Sequence, residues 1–164
     1  MKTDEMNIVI TGANGYVASS LVEYFSRRAA FVAGTVRQLA NNVEEKILHG
    51  TTTVAIKVKD GVVLCADMRA SAGYFIANNN TMKIQKIEQH AGLTLAGGVA
   101  DAQNIVDVLR YHANVYRIQN QEPIPIKSLS RLTSLMFHQN RGYPFIADIL
   151  LGGYDNGGPQ LFNI

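Results

Sequence analysis

Residues 46–54 read Lys46-Ile47-Leu48-His49-Gly50-Thr51-Thr52-Thr53-Val54. By itself Thr-Thr-Thr-Val is the start of a strand, because β-branched side chains favour the pleated backbone. The Gly50–Thr51 bond adds a chemical alternative. Glycine leaves its carbonyl open to attack by the hydroxyl of the residue that follows, and cleavage there would free the amine of Thr51. A free α-amino group titrates at roughly 7.7 to 8.0, so near neutral pH it can act as base for its own side-chain hydroxyl. While the preceding segment is attached, that nitrogen is an amide and cannot.

On the C-terminal side, Thr51 to Val58 reads as a strand, Lys59-Asp60-Gly61 as a hairpin turn with the Asp-Gly signal, and Val62 to Asp67 as the returning strand. A second hairpin is expected from Tyr74–Ala77 and Met82–Ile87 around Asn78-Asn79-Asn80, and Leu93–Leu95 leads into Gly97-Gly98. The spacing predicts a helix from Asp101, as N-cap, to Gln119, with Ile105, Val108, Leu109, His112, Val115 and Tyr116 on one face. Pro123 and Pro125 stop it. A second helix is expected over Ile126 to Asn140, with Leu129, Leu132, Leu135 and Met136 inward and Gly142 as C-cap. Phe145–Leu151, a glycine-rich turn over Gly152–Gly158 and Leu161–Ile164 form the last predicted hairpin.

On the N-terminal side, residues 38–50 mix charges, adjacent asparagines and a terminal glycine, the composition of a linker or a removable leader. Before them, Met6 to Gly12 reads as a buried strand running into a glycine turn, Tyr16 to Arg28 as a helix and Phe31 to Val36 as a second strand, one βαβ unit. The chain is thus expected to divide into residues 1–37, a leader over 38–50, and a larger domain over 51–164.

Composition limits the function. Fifteen Lys plus Arg against thirteen Asp plus Glu give a net charge of +2, too small a surplus for the basic face of a nucleic-acid or anionic-membrane binder. No window approaches the roughly 18 to 20 apolar residues of a spanning helix, and Asp4 and Glu5 stand where a signal peptide carries positive charge. The single cysteine, Cys65, excludes a disulfide framework and a multi-thiolate zinc site, and fits a reducing, cytoplasmic setting. Between Leu64 and Ala66 it is expected as a small buried hydrophobe. His49, His90, His112 and His138 show no metal-ligand spacing, and His112 and His138 are expected to pack on their helices.

Two resemblances follow. Thr11-Gly12-Ala13-Asn14-Gly15-Tyr16-Val17-Ala18 follows a predicted strand and opens a predicted helix, and it resembles the start of the extended short-chain dehydrogenase/reductases over about residues 6–37. The resemblance implies a Rossmann-like fragment in which Gly12, Gly15 and Ala18 shape a dinucleotide site. Arg37, with no acid nearby, would favour NADP. That family's Tyr-x-x-x-Lys pair occurs nowhere in the chain.

The larger part, from about residue 42 to 164, strongly resembles the proteasome β-subunit family of archaeal type. The match rests on Gly50-Thr51-Thr52-Thr53-Val54, Asp67-Met68-Arg69-Ala70-Ser71, Lys83-Ile84 and Ala96-Gly97-Gly98-Val99-Ala100-Asp101-Ala102-Gln103. It implies an α+β fold, the N-terminal-nucleophile hydrolase sandwich of αββα layers, here C-terminally incomplete and preceded by the βαβ fragment. It implies a threonine endopeptidase that cuts itself at Gly50–Thr51, needs no cofactor, and works on unfolded polypeptides inside stacked rings of α and β subunits. Thr51 would be the nucleophile, Lys83 the neighbouring cation, Asp67 the carboxylate that orients Lys83, and Gly97 the oxyanion donor. Ala70, Thr81, Gln85, Leu95 and Val99 match pocket positions, and Ser71 would bind substrate backbone as an added strand. The alternatives are an NAD(P)-binding oxidoreductase-like fragment and an inactive structural subunit.

Overall fold

The computed structural model describes residues 7–11, 31–35, 52–72 and 75–164. The Gly50–Thr51 junction, Gly12, Gly15, Ala18 and Arg37 lie outside the described residues, as do the leader over 38–50 and the expected helix after the glycine turn.

Two strands come from the N-terminal part, β1 (Asn7–Thr11) and β2 (Phe31–Thr35). They pair in parallel, and β1 also pairs antiparallel with β3 (Thr53–Val58), Thr11 opposite Thr53 and Asn7 opposite Lys57. The Lys59–Asp60 turn returns the chain as β4 (Gly61–Ala66), giving a sheet in the order β2-β1-β3-β4. A small ribbon follows, β5 (Ala70–Ala72) with β6 (Phe75–Asn78). The second sheet, in the order β10-β9-β8-β7, holds β7 (Ile84–Glu88), β8 (Ala91–Gly97), β9 (Ala147–Asp155) and β10 (Gly158–Asn163). Between β8 and β9 run α1 (Val99–Asn120) and α2 (Ile126–Gln139).

These elements stack as a helix layer and two sheets. Leu93, Leu95, Ile149 and Leu151 alternate onto one face of the β7–β10 sheet, where they bury Ile105 and Leu109 of α1 and Ile126 and Leu129 of α2. Each such side chain contributes about 1.5 to 3 kcal/mol of transfer free energy. The opposite face meets the first sheet, where Val62 of β4 lies over Gly152 of β9.

Two polar clamps fix the helices on the sheet. Pro125 stands at the N-cap of α2 and offers no side-chain acceptor. Asp155, at the end of β9, supplies it: Oδ2 accepts from Ile126 N at 2.8 Å, and Oδ1 accepts from Gly157 N and Gln160 Nε2. At the end of α1, Arg117 Nε meets Glu88 Oε1 at 3.0 Å, and the Nε2–H of His90 donates to Ile124 O at 2.7 Å. The β7–β8 turn is thereby tied to the connection between the helices.

Several expectations are corrected. Tyr74–Ala77 and Met82–Ile87 do not form a hairpin: β6 pairs with β5 and β7 with β8. Asn78 Oδ1 accepts from Asn80 N and closes an Asx turn, and Thr81 N donates to Met68 O, which draws the chain away from β6. Gly152 and Gly153 lie inside β9 and not in a turn. A Cβ on Gly153 would collide with the His90 carbonyl and come within 2.6 Å of Ile126 Cδ1, so the glycines let the sheet approach its neighbours closely. α1 starts at Val99 with Gly98 as N-cap, and Asp101 sits in its first turn. Its inward stripe is Ala102, Ile105, Val106, Leu109 and Ala113, which leaves His112 exposed beside Tyr111. On α2 the buried positions are Ile126, Leu129, Ser130 and Thr133; Leu135 and His138 face outward, and the C-cap is Asn140, not Gly142. Cys65 is exposed, because alternation along β4 turns Val63 and Cys65 away from the second sheet.

Replacing Asp155 by Ala is expected to cost about 2 kcal/mol in urea denaturation, because it uncaps α2 and opens the β9–β10 turn together. Asp155→Asn, which keeps one acceptor, should lose less.

Candidate active site

The site grows from the end of the first sheet where β3 begins. Thr53, fully buried, pairs with Ala66, and the next residue after Ala66 is Asp67. Lys83, directly before β7, reaches this point. Its Nζ donates to Asp67 Oδ1 and Oδ2, each at 3.0 Å, and to Arg69 O at 2.7 Å. Lys83 is 8% exposed, whereas Asp67 is 47% exposed. An ammonium so nearly out of water needs acceptors around it, and the carboxylate and carbonyl provide them. Asp67 is held in turn, since Oδ2 also accepts from Arg69 N at 3.2 Å. The Lys83 backbone is anchored to the second sheet by Leu95 N, which donates to Lys83 O at 2.8 Å. The pair therefore bridges both sheets.

Gly97 ends β8 two residues past Leu95. Rungs to β9 are carried by even-numbered residues, as in Tyr154 N to His90 O and Gly98 N to Ile146 O. The odd-numbered amides face the other way, as Leu95 does. The Gly97 N–H is thus directed to the Lys83 side, past the last β7–β8 pair at Ile84 and Thr94. Its φ of +124° is reserved for glycine, and a Cβ there would strike the Ile146 carbonyl and come within 2.9 Å of Ala147 Cα.

The remaining sequence candidates are spread over several elements. Ala70 and Ser71 lie on β5, with a register shift between them. Thr81 is tied to the Asp67–Arg69 segment through Met68 O. Gln85 is engaged with α1: its Nε2 donates to Met82 O, and its Oε1 accepts from Arg110. Leu95 is buried in the core beneath the helices, and Val99 is the first residue of α1. Thr51 lies outside the described residues. Sequence reasoning passed over the Arg69 carbonyl, which no side-chain pattern can signal. It also read Asp101 as a cap, whereas its Oδ2 accepts from Ile146 N at 3.3 Å.

Among the described residues no group of His, Cys, Asp and Glu is arranged to hold a metal ion. No helix there is long and apolar enough to cross a membrane.

A family model described as proteasome subunit matches residues 47–164. The chain belongs to the proteasome subunit family. Its relatives include "Proteasome subunit beta 2" of Cenarchaeum symbiosum, 82% identical over 126 residues that make up 77% of this chain and 60% of the relative. "Proteasome subunit beta 2" of Nitrosopumilus maritimus is 80% identical over the same shares. "Proteasome subunit beta" of Methanothermobacter thermautotrophicus is 44% identical over 121 residues, 74% of this chain and 58% of the relative. The chain spans about 60% of the length of the curated relatives it matches.

Within this proteasome-family domain, Gly97→Ala is expected to lose at least about 2 kcal/mol in urea denaturation, from the forbidden φ and the collision with Ile146. Gly98→Ala, whose Cβ would meet nothing closer than 3.6 Å, should cost less.

Proposed function

We propose that the chain is a threonine endopeptidase subunit of a proteasome core particle that matures by cutting Gly50–Thr51. The observation that carries this reading is the Lys83–Asp67 pair, its ammonium buried at the end of the sheet where β3 starts, with Thr51 two residues before Thr53 in the sequence. The 82% and 80% identity to proteins named as β subunits supports it.

In maturation, Thr51 Oγ attacks the Gly50 carbonyl and the Gly50–Thr51 C–N bond breaks as the hydroxyl proton passes to the departing nitrogen, leaving Gly50 as an ester on Thr51 and the Thr51 amine free. Water hydrolyses the ester, releasing the Gly50 carboxylate and restoring the hydroxyl. The freed amine then takes the Oγ proton as Oγ attacks a substrate carbonyl, and returns it to the leaving amine. Water completes the cycle by cleaving the acyl ester. Lys83, held by Asp67 and Arg69 O, sets a fixed positive charge beside the hydroxyl, favouring its deprotonated form. The Gly97 amide donates to the developing oxyanion. None of these groups is a metal or a cofactor, so the proposed chemistry calls for neither.

The proposed substrates are unfolded polypeptides, bound as an added strand along Ser71 with side chains toward Ala70, Thr81, Gln85, Leu95 and Val99. The proposed partners are α and β subunits in stacked rings, in the cytoplasm.

A second reading concerns the N-terminal segment. The parallel pairing of β1 and β2 requires a crossover between them, which supports a βαβ unit with Gly12, Gly15, Ala18 and Arg37 at an NADP site. Titrating the full chain with NADPH while following cofactor fluorescence tests it: saturable enhancement supports the site, and a flat trace removes it.

Intact mass and N-terminal sequencing of the full chain, co-produced with α-type subunits, test the main reading. A product beginning at Thr51 is expected, absent in Thr51→Ala and slowed at least about 100-fold in Lys83→Met. Asp67 can turn to water when Lys83 is lost, so folding stability should fall far less than activity. An unaltered chain that stays whole would overturn the reading.

A further inference from the structure

We infer that Asp101 is a positioning residue for the Gly97 amide, an inference that rests on the peptidase reading of the site. The β8–β9 ladder ends at Gly97 opposite Ala147. One step further, Gly98 N donates to Ile146 O at 2.7 Å, which is half of the next antiparallel rung. In a continuing ladder the other half would run from Ile146 N to Gly98 O. That carbonyl is already committed, because it accepts from Ala102 N at 3.0 Å as the first hydrogen bond of α1. Asp101 Oδ2 takes its place and accepts from Ile146 N at 3.3 Å.

The carboxylate therefore completes a rung whose natural acceptor has been given to the helix. An acid at this place in the first helical turn usually reaches back to the N-cap amide; here the Gly98 amide is engaged by Ile146 O, and Gly98 has no side-chain cap. The substitution allows the chain to pass from strand to helix within one residue of Gly97 while remaining fastened to β9 on both sides of Ile146. Gly97 is the last residue of the strand, and on the β7 side the last rung among the described residues is Leu95 N to Lys83 O, two residues before it. The rung closed by Asp101 holds the Gly97–Gly98 peptide, and through the φ of +124° at Gly97 it sets the line along which the Gly97 N–H points. Sub-ångström aim matters for an oxyanion donor, since a misplacement of about 1 Å can cost on the order of 100-fold in rate.

The test follows cleavage at Gly50–Thr51 in the full chain co-produced with α-type subunits, together with amide hydrogen exchange. Asp101→Ala should slow formation of the Thr51 N-terminus about 30-fold, and in matured protein it should lower kcat on a peptide substrate with KM unchanged. Asp101→Asn, whose Oδ1 accepts the same bond, should stay within about threefold of the unaltered chain. The Ile146 and Gly98 amides should exchange at least about tenfold faster in Asp101→Ala. Should that variant fail to fold, Asp101→Glu, which shifts the carboxylate by one methylene, is expected to be the slow one. Parent-like cleavage in Asp101→Ala, or Asp101→Asn as slow as Asp101→Ala, would overturn the inference alone. An unaltered chain that never exposes Thr51 would instead overturn the peptidase reading and the positioning role that rests on it. Unchanged exchange at Gly98 and Ile146 would overturn the clamp whether or not the chain cleaves.

Discussion

A buried ammonium is the constraint on which the arrangement turns. Lys83 has left water almost entirely, and among the described residues Asp67 and the Arg69 carbonyl meet its charge. Meeting those acceptors requires the segment after β4 to fold back beside the start of β7. The backbone of Lys83 then meets β8 through Leu95. One side chain thus registers the first sheet against the second at the end where β3 begins. The buried ammonium and the half-exposed carboxylate leave the pair open to solvent on the Asp67 side alone.

The second sheet supplies the rest by changing from strand to helix abruptly. Gly97 can take its φ of +124° against Ile146 because it has no Cβ. The helix that follows starts at once and sends Ile105 and Leu109 onto the sheet's core face. A rim of backbone amides and a large apolar core are built by the same few residues, so loosening one disturbs the other.

Much of this was legible in the sequence where one signal dominates. Lys59-Asp60-Gly61 between two β-branched runs gives the β3–β4 hairpin with its turn, and the apolar spacing around Ile105 and Leu109 gives α1. The pairing of Asp67 with Lys83 came from the family pattern, since local spacing cannot bring together residues 16 apart. What was not legible depended on contacts made across the fold. Gly152 and Gly153 look like a turn until Val62, His90 and Ile126 are seen pressing on them. Tyr74–Ala77 and Met82–Ile87 look like a hairpin until Met68 captures Thr81. The role of Asp101 was hidden because an acid near a helix start has an ordinary local explanation, and only Ile146, 45 residues away, reveals the other.

The proposed role of the Lys83–Asp67 pair is to serve a nucleophile at Thr51. Treating the full chain, assembled with α-type subunits, with a peptide β-lactone and mapping the adduct by peptide mass spectrometry tests it most directly. A single acyl ester on Thr51, in a chain that begins at Thr51, is expected, and its loss in Lys83→Met. An adduct elsewhere, or an unlabelled chain still joined through Gly50–Thr51, would contradict it.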